Sequence, residues 1–338
     1  MVTVAVLMTC HNRREKTLRC LESLYEALNS QLSARPKDAC AARTLNSQLS
    51  ILNSQFSTLN SQLSTEVFLT DDGCTDGTAE AVLSNAQHSN GQIVNSPIVQ
   101  YPTPNIHIIQ GDGNLYWAGG MRLAWREAMK EGPWDYYLLL NDDTVLNNDA
   151  LVTLFDAERY CQEYFGREGI VSGMVCDPSD TSRITYGGEV FISRFTGRRR
   201  MLGPADEPQL CDWTHANILL VPQCVVEEHG ILYEGYRHGQ ADLDYGYRAR
   251  RKGIPVVVTP KACGTCPFDH PNIQGIEERL CAMTLTERRE YLNHPLHSDA
   301  DYLTMIRRCM PAKYPLTWLF RKLNLYAPRL YYWLNKRR

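Results

Sequence analysis

The 338-residue chain has no stretch close to the roughly 18 consecutive apolar residues that a membrane-spanning helix needs. Its start, MVTVAVLMTC, lacks both the basic opening and the cleavage site of a secretory signal, so the chain is expected to stay in the cytoplasm. No acidic residue follows Asp301, whereas Arg307, Arg308, Lys313, Arg321, Lys322, Arg329, Lys336, Arg337 and Arg338 do, and the formal net charge of -3 hides this one-signed tail. The basic residues alternate with Trp318, Phe320, Tyr331, Tyr332 and Trp333. That mixture suits the inner face of an anionic membrane, and nucleic acid is not an expected partner.

Other absences are local. Cys263 and Cys266 form one CxxC without a second pair or a histidine at finger spacing, which argues against a structural zinc finger. Gly73 stands where the second Asp of a phosphatase DxDxT would be, and Tyr116 stands where a dinucleotide-binding GxGxxG needs its last glycine. The Gly-rich N-terminal loop of a sugar nucleotidyltransferase is missing from VAVLMTCHNR. Twelve cysteines are scattered through apparent helices and strands, as reduced buried thiols would be.

What is present is a β–α alternation. The strand VTVAVLMTC runs into a polar loop, and Leu18, Leu21, Leu24, Tyr25 and Leu28 then mark a helical stripe over Glu15 to Leu28. Strands follow at Val67 to Thr70, Ile106 to Ile109 and Tyr136 to Leu140, with helices from about Thr78 and from about Gly120 to Glu131. The pattern predicts an α/β fold with a Rossmann-like, mainly parallel sheet covered by helices on both faces, in a domain spanning residues 1–275. A helical basic and aromatic extension is expected over 276–338. Near-identical hexads, LNSQLS at Leu28, Leu45 and Leu59 and LNSQFS at Leu52, read as an insertion over about 29–65, either an exposed loop or a loose helical hairpin.

Polar clusters fall just after the strands, where open α/β sheets bind ligands. In NDDT the adjacent carboxylates Asp142 and Asp143 end an apolar strand, and a Mg2+ or Mn2+ ion shared with a diphosphate would make that pairing tolerable. In DDGCTDGT, Asp72 has the position of a nucleotide-site acceptor, while Thr75 or Asp76 can cap the next helix. The Gly119–Gly120 pair is placed to let backbone approach a ligand. In ADLDYGYRARRKG, Asp242 and Asp244 lie on different faces of a helix that Gly253 ends; Asp244 can pair with Arg248, and Asp242 is left for the cleft.

These four clusters, taken in chain order between Val2 and about Cys266, resemble the family 2 glycosyltransferases, inverting enzymes of the GT-A fold. DDGCTDGT is similar to the family's DDGSTDGT, NDDT occupies its DxD position, ADLDYGYRARRKG resembles its ED-x-D…R element, and GNLYWAGGMRLAW resembles a bacterial rhamnosyltransferase-like branch. The resemblance implies transfer of a sugar from a nucleoside diphosphate to the hydroxyl of a saccharide or lipid-linked saccharide, in cell-surface polysaccharide or glycolipid synthesis. It implies that Thr9 and Asp72 contact the nucleobase and that Gly119 and Gly120 border the nucleotide-sugar. Asp142 would meet ribose or diphosphate, Asp143 the metal, and Asp242 would be the catalytic base. Trp117, His215 and Asn217 would lie toward the acceptor. Two departures stand out: Ala241 at the first acidic position, and His215–Ala216 where many relatives carry Asn-Gly. The first keeps a second reading open, a noncatalytic nucleotide-sugar-binding subunit that partners an active transferase.

Overall fold

The computed structural model describes residues 1–33, 63–89, 105–194, 196–268 and 273–335. The chain opens with β1 (Val2–Cys10), α1 (Arg14–Ser33), β2 (Leu63–Asp71), α2 (Thr78–Ser89), β3 (Asn105–Gln110), α3 (Tyr116–Glu131) and β4 (Tyr136–Leu140). The alternation is as the sequence predicts. Helix α1 takes in the whole first LNSQLS hexad, and β2 begins at Leu63 inside the last one, so the described structure narrows the insertion to residues 34–62, whose loop-or-hairpin reading lies outside the described residues. Replacing residues 34–62 with a short Gly-Ser linker is expected to shift the melting temperature by no more than a few degrees, since connection length carries a small entropic cost. Thermal denaturation of the two chains checks this, and a collapse comparable to a core mutation refutes it.

Beyond β4 come β5 (Val145–Leu146), α4 (Ala150–Phe165), β6 (Ile170–Asp177), β7 (Asp180–Tyr186), β8 (Gly188–Ser193), β9 (Arg198–Met201), β10 (Gln209–Leu210), β11 (Trp213–Thr214), β12 (Ile218–Pro222), α5 (Gln223–His229), α6 (Ala241–Arg251) and β13 (Val256–Thr265). The main sheet has ten strands along the path β10-β13-β6-β12-β4-β1-β2-β3, with β5 on β13 and β7 on β6. Strands β1 to β4, β6 and β13 run parallel to one another, and β12 lies antiparallel between β4 and β6. Successive β1 residues feed opposite layers: Ala5 and Leu7 pack with α3, while Val4, Val6 and Met8 pack with α1 and α4. A small sheet of β11, β8 and β9 lies apart from this path.

The C-terminal region folds as α7 (Ile273–Ala282), α8 (Leu285–Asn293), α9 (Asp299–Cys309), α10 (Tyr314–Tyr326) and α11 (Pro328–Asn335). Its α9 joins the main core through Met305, Ile306 and Cys309. Helices α10 and α11 carry Leu316, Trp318, Leu319, Leu330 and Trp333 on the surface.

One carboxylate is buried at the amino end of β4, away from the carboxyl ends of the strands. Glu158 of α4 accepts from the Tyr136 hydroxyl (3.2 Å) and the Gln162 amide (2.7 Å), and burial pushes its carboxyl up to about 7. The folded chain therefore binds this proton more tightly than the unfolded chain, so the contribution is fully present below about pH 4.5 and is lost as pH rises through about 7. Glu158→Gln is expected to flatten the fall in stability between pH 5 and 8, by on the order of 2–3 kcal/mol at the alkaline end. Denaturant midpoints of both proteins across that range test it; parallel pH curves reject it.

Candidate functional site

The loops after β1, β2, β3 and β4 all leave the same edge of the sheet, because these strands are parallel. The antiparallel β12 brings a further loop there. Ile218 is in register with Leu140, so the segment preceding β12, WTHAN, meets the segment following β4, NDDT, and the Asn141 N–H donates to the Asn217 carbonyl at 3.0 Å. Nothing in the local sequence announces this meeting.

At its centre lie Asp142, buried, and Asp143, half-buried. One guanidinium nitrogen of Arg13, Nη1, spans them, 3.0 Å from Asp142 Oδ1 and 2.9 Å from Asp143 Oδ2. Burial pushes the Asp142 carboxyl up to about 6 against the opposing pull of Arg13, and Asp143 adds to the rise. The sequence pattern assigns the offset of the two like charges to a cation; in the fold Arg13 contributes to that offset as well. Arg13 was missed because its partners are 129 and 130 residues away. Its one signal was position, three residues past the end of β1 on the ligand-binding edge.

These residues do fit a hard divalent cation. The donors are carboxylate oxygens, the type that Mg2+ and Mn2+ prefer. Arg13 engages one oxygen of each carboxylate, and the second oxygen of Asp143 receives only the Cys266 thiol at 3.6 Å among the contacts described.

Asp242 opens α6 on the far side of the Asn141–Asn217 contact. Its Oδ2 accepts the Ala216 N–H at 3.2 Å and its Oδ1 accepts the Leu243 N–H at 2.9 Å, so the carboxylate is aimed while a lone pair remains on each oxygen. Asp244 points the other way, as the helical spacing predicts. It pairs with Arg248 at 3.7 Å, and more closely with Arg308 of α9 through Nε at 3.0 Å and Nη2 at 3.2 Å. A second anchor from α9 is Asp301, whose buried carboxylate receives the backbone N–H groups of Arg237, His238 and Gly239, the residues leading to Asp242. Neither α9 contact was legible in sequence.

Asp72 is buried and holds the loop that opens α3: Oδ1 accepts from Gly113 N (2.9 Å) and Leu115 N (3.2 Å), and Oδ2 from Tyr116 N (2.9 Å). This cap from a distant strand end lets α3 begin at Tyr116, whose φ is +53°, four residues earlier than the glycines imply. Gly119 and Gly120 are accordingly inside the helix and buried. A Cβ on Gly120 would stand 2.1 Å from Thr9 Oγ1, and the Gly120 carbonyl accepts from Thr70 Oγ1 at 2.9 Å, so this glycine lets α3 lie against β1 and β2. Asp76 caps α2 as expected, through Thr78 N at 3.2 Å, and also holds the first N–H of α1 at Arg14.

Of the residues assigned toward the acceptor, Trp117 donates its indole N–H to Asn141 Oδ1 at 2.7 Å, and His215 Nδ1 lies 3.0 Å from the Gly187 carbonyl. Asn217 is buried. Trp117 and Asn217 thus both contact Asn141, while His215 is turned toward the start of β8.

No family model matches the chain. A curated low-salt glycan biosynthesis hexosyltransferase of Haloferax volcanii is 25% identical over 158 residues, which are 45% of this chain and 48% of that protein. The chain thus matches about half of that relative's length. Among solved structures, a mannosyltransferase from Pyrobaculum calidifontis in complex with GDP-mannose and Mn2+ aligns over 97% of this chain and 71% of its own, at 14% identity and a TM-score of 0.48. TarS of S. aureus in complex with UDP-GlcNAc aligns over 97% and 76%, at 12% identity and a TM-score of 0.47.

Proposed function

We propose that the chain is an inverting glycosyltransferase of the GT-A type that moves a hexosyl group from a nucleoside diphosphate to an acceptor hydroxyl. The observation that carries the reading is the Asn141–Asn217 contact at the strand edge, which joins the segment bearing Asp142 and Asp143 to the segment whose Ala216 N–H holds the Asp242 carboxylate. The partial likeness to a glycan-building hexosyltransferase supports the same class of reaction.

In this reading Asp242 accepts the proton of the acceptor hydroxyl as its oxygen attacks the anomeric carbon. The bond from that carbon to the diphosphate oxygen breaks, its electron pair leaves with the diphosphate, and one in-line displacement inverts the centre. Arg13 lies where it can turn from the carboxylates toward a diphosphate, which a guanidinium binds in a bidentate manner. A Mg2+ or Mn2+ held by Asp143, with Asp142 beside it, would offset charge on the leaving group. The half-buried Trp117, held by Asn141, borders the acceptor side. The test is a panel of nucleoside diphosphate sugars read by released nucleoside diphosphate, with and without EDTA. Metal-dependent release stimulated by an acceptor is expected; donor binding without any turnover would favour the noncatalytic subunit.

The same proposal places α10 and α11 on an anionic membrane, near a lipid-linked saccharide acceptor. Leu316, Trp318, Leu319, Leu330 and Trp333 are exposed, as are Lys322 and Arg329, while Arg321 turns inward to Asp299; each basic residue near anionic lipid contributes on the order of 1 kcal/mol. Flotation with phosphatidylserine-rich liposomes should lose most bound protein when the chain ends at Lys313. Equal binding by both chains rejects membrane docking.

A further inference from the structure

We propose that Cys10, Asp71 and Cys74 form a site for a thiophilic divalent cation, with zinc the best match. The three side chains come from two neighbouring strand ends. Cys10 and Asp71 are register partners across β1 and β2, and Cys74 follows the turn at Gly73, whose φ is +72°. One ligand atom from each residue lies within 4.8 Å of the other two. The Cys10 and Cys74 sulfurs are 3.8 Å apart. Two thiolates each about 2.3 Å from one tetrahedral metal stand about 3.8 Å from each other, while disulfide sulfurs stand about 2.05 Å apart. The spacing fits two ligands on one ion and is not that of a disulfide.

Supporting contacts orient the ligands. The Cys74 N–H donates to Asp71 Oδ1 at 2.7 Å, turning that carboxylate toward the sulfurs, and the Asn12 N–H donates to Cys74 Sγ at 3.2 Å. Cys10 and Asp71 are buried, whereas Cys74 is half-exposed and marks the side from which an ion can enter and keep a water as its fourth ligand. Binding releases the two thiol protons to solvent, leaving the dication with two thiolates and one carboxylate. The site shares no ligand with Asp142 and Asp143, whose oxygen-only donors select harder ions. It would join the TCHN loop to the DDGC loop, an attachment that stands whether or not the chain is a transferase.

Cobalt titration of the chelator-treated full chain tests the site, because thiolate ligands give Co2+ a near-ultraviolet charge-transfer band and carboxylates alone do not. One equivalent of Co2+ should produce the band and one of Zn2+ should remove it, with the band retained in Asp143→Ala. Cys10→Ser and Cys74→Ser should each lose the band and weaken zinc binding by more than the roughly 10- to 100-fold that removing a supporting partner costs. A measurement on the unmutated chain guards against misfolded variants: zinc should slow alkylation of Cys10 and Cys74, read by mass spectrometry, while leaving Cys281 unchanged. Absence of the band, alkylation unaffected by zinc, or a Cys10–Cys74 disulfide forming in air without metal uptake would each overturn the proposal.

Discussion

Asp242→Asn is expected to slow sugar transfer by roughly 10²- to 10⁴-fold, about 3 to 5 kcal/mol of barrier, while donor binding stays within a few-fold of normal. The carboxylate is held by the Ala216 and Leu243 N–H groups, and an asparagine oxygen can keep one of those contacts. Losing the other costs about 1 kcal/mol, far less than the effect expected from losing a base. Asp143→Ala should behave differently. It removes the carboxylate assigned to the cation and one of the two partners of Arg13, so donor affinity and turnover should fall together. Calorimetric donor binding with Mn2+, set beside single-turnover transfer, separates the two patterns. Near-normal turnover in Asp242→Asn would move the base elsewhere, and Asp244 is a poor substitute because Arg308 and Arg248 already hold it.

Gly120→Val should destabilise the chain by roughly 3 kcal/mol, at the upper end for overpacking a filled core. Its first carbon alone would stand 2.1 Å from Thr9 Oγ1 and 2.8 Å from Thr9 Cβ. Neither side can yield easily: Thr9 is held in β1 by its register with Thr70 of β2, and the Gly120 carbonyl is held by the Thr70 hydroxyl. Adding Thr9→Ala removes the closer clash but leaves the Cβ contact, so recovery should be partial, and a denaturant-based double-mutant cycle reads the coupling. Had the glycine served only to admit a ligand, the valine would spare stability and abolish donor binding; that outcome would return the pair to the ligand.

These two positions also mark how far the sequence could be read. Strands β1 to β4 and helices α1 to α3 were legible because each carries its own periodicity, and the boundaries of β4 fell where YYLLL gives way to NDD. The start of α3 was not, since its cap is Asp72, more than forty residues upstream. Asp244 found the expected Arg248, but the better-placed partner came from Arg308, for which helical spacing has no rule. The helical extension is legible as a whole, but the periodicity does not show that α9 belongs to the core through Met305 and Ile306, ahead of the basic and aromatic segment that starts at Trp318. In each case a short-range pattern yielded to a contact made only after the chain had folded back.

The hold of α9 on α6 also bears on the order in which the molecule can be completed. Domains fold largely from the N-terminus as synthesis proceeds. While the ribosome has yet to reach Asp301 and Arg308, the amides of residues 237–239 have no carboxylate to receive them and buried Asp244 lacks its closest countercharge. A nascent chain arrested after β13 would therefore carry every carboxylate of the candidate site with the entry to α6 still untethered.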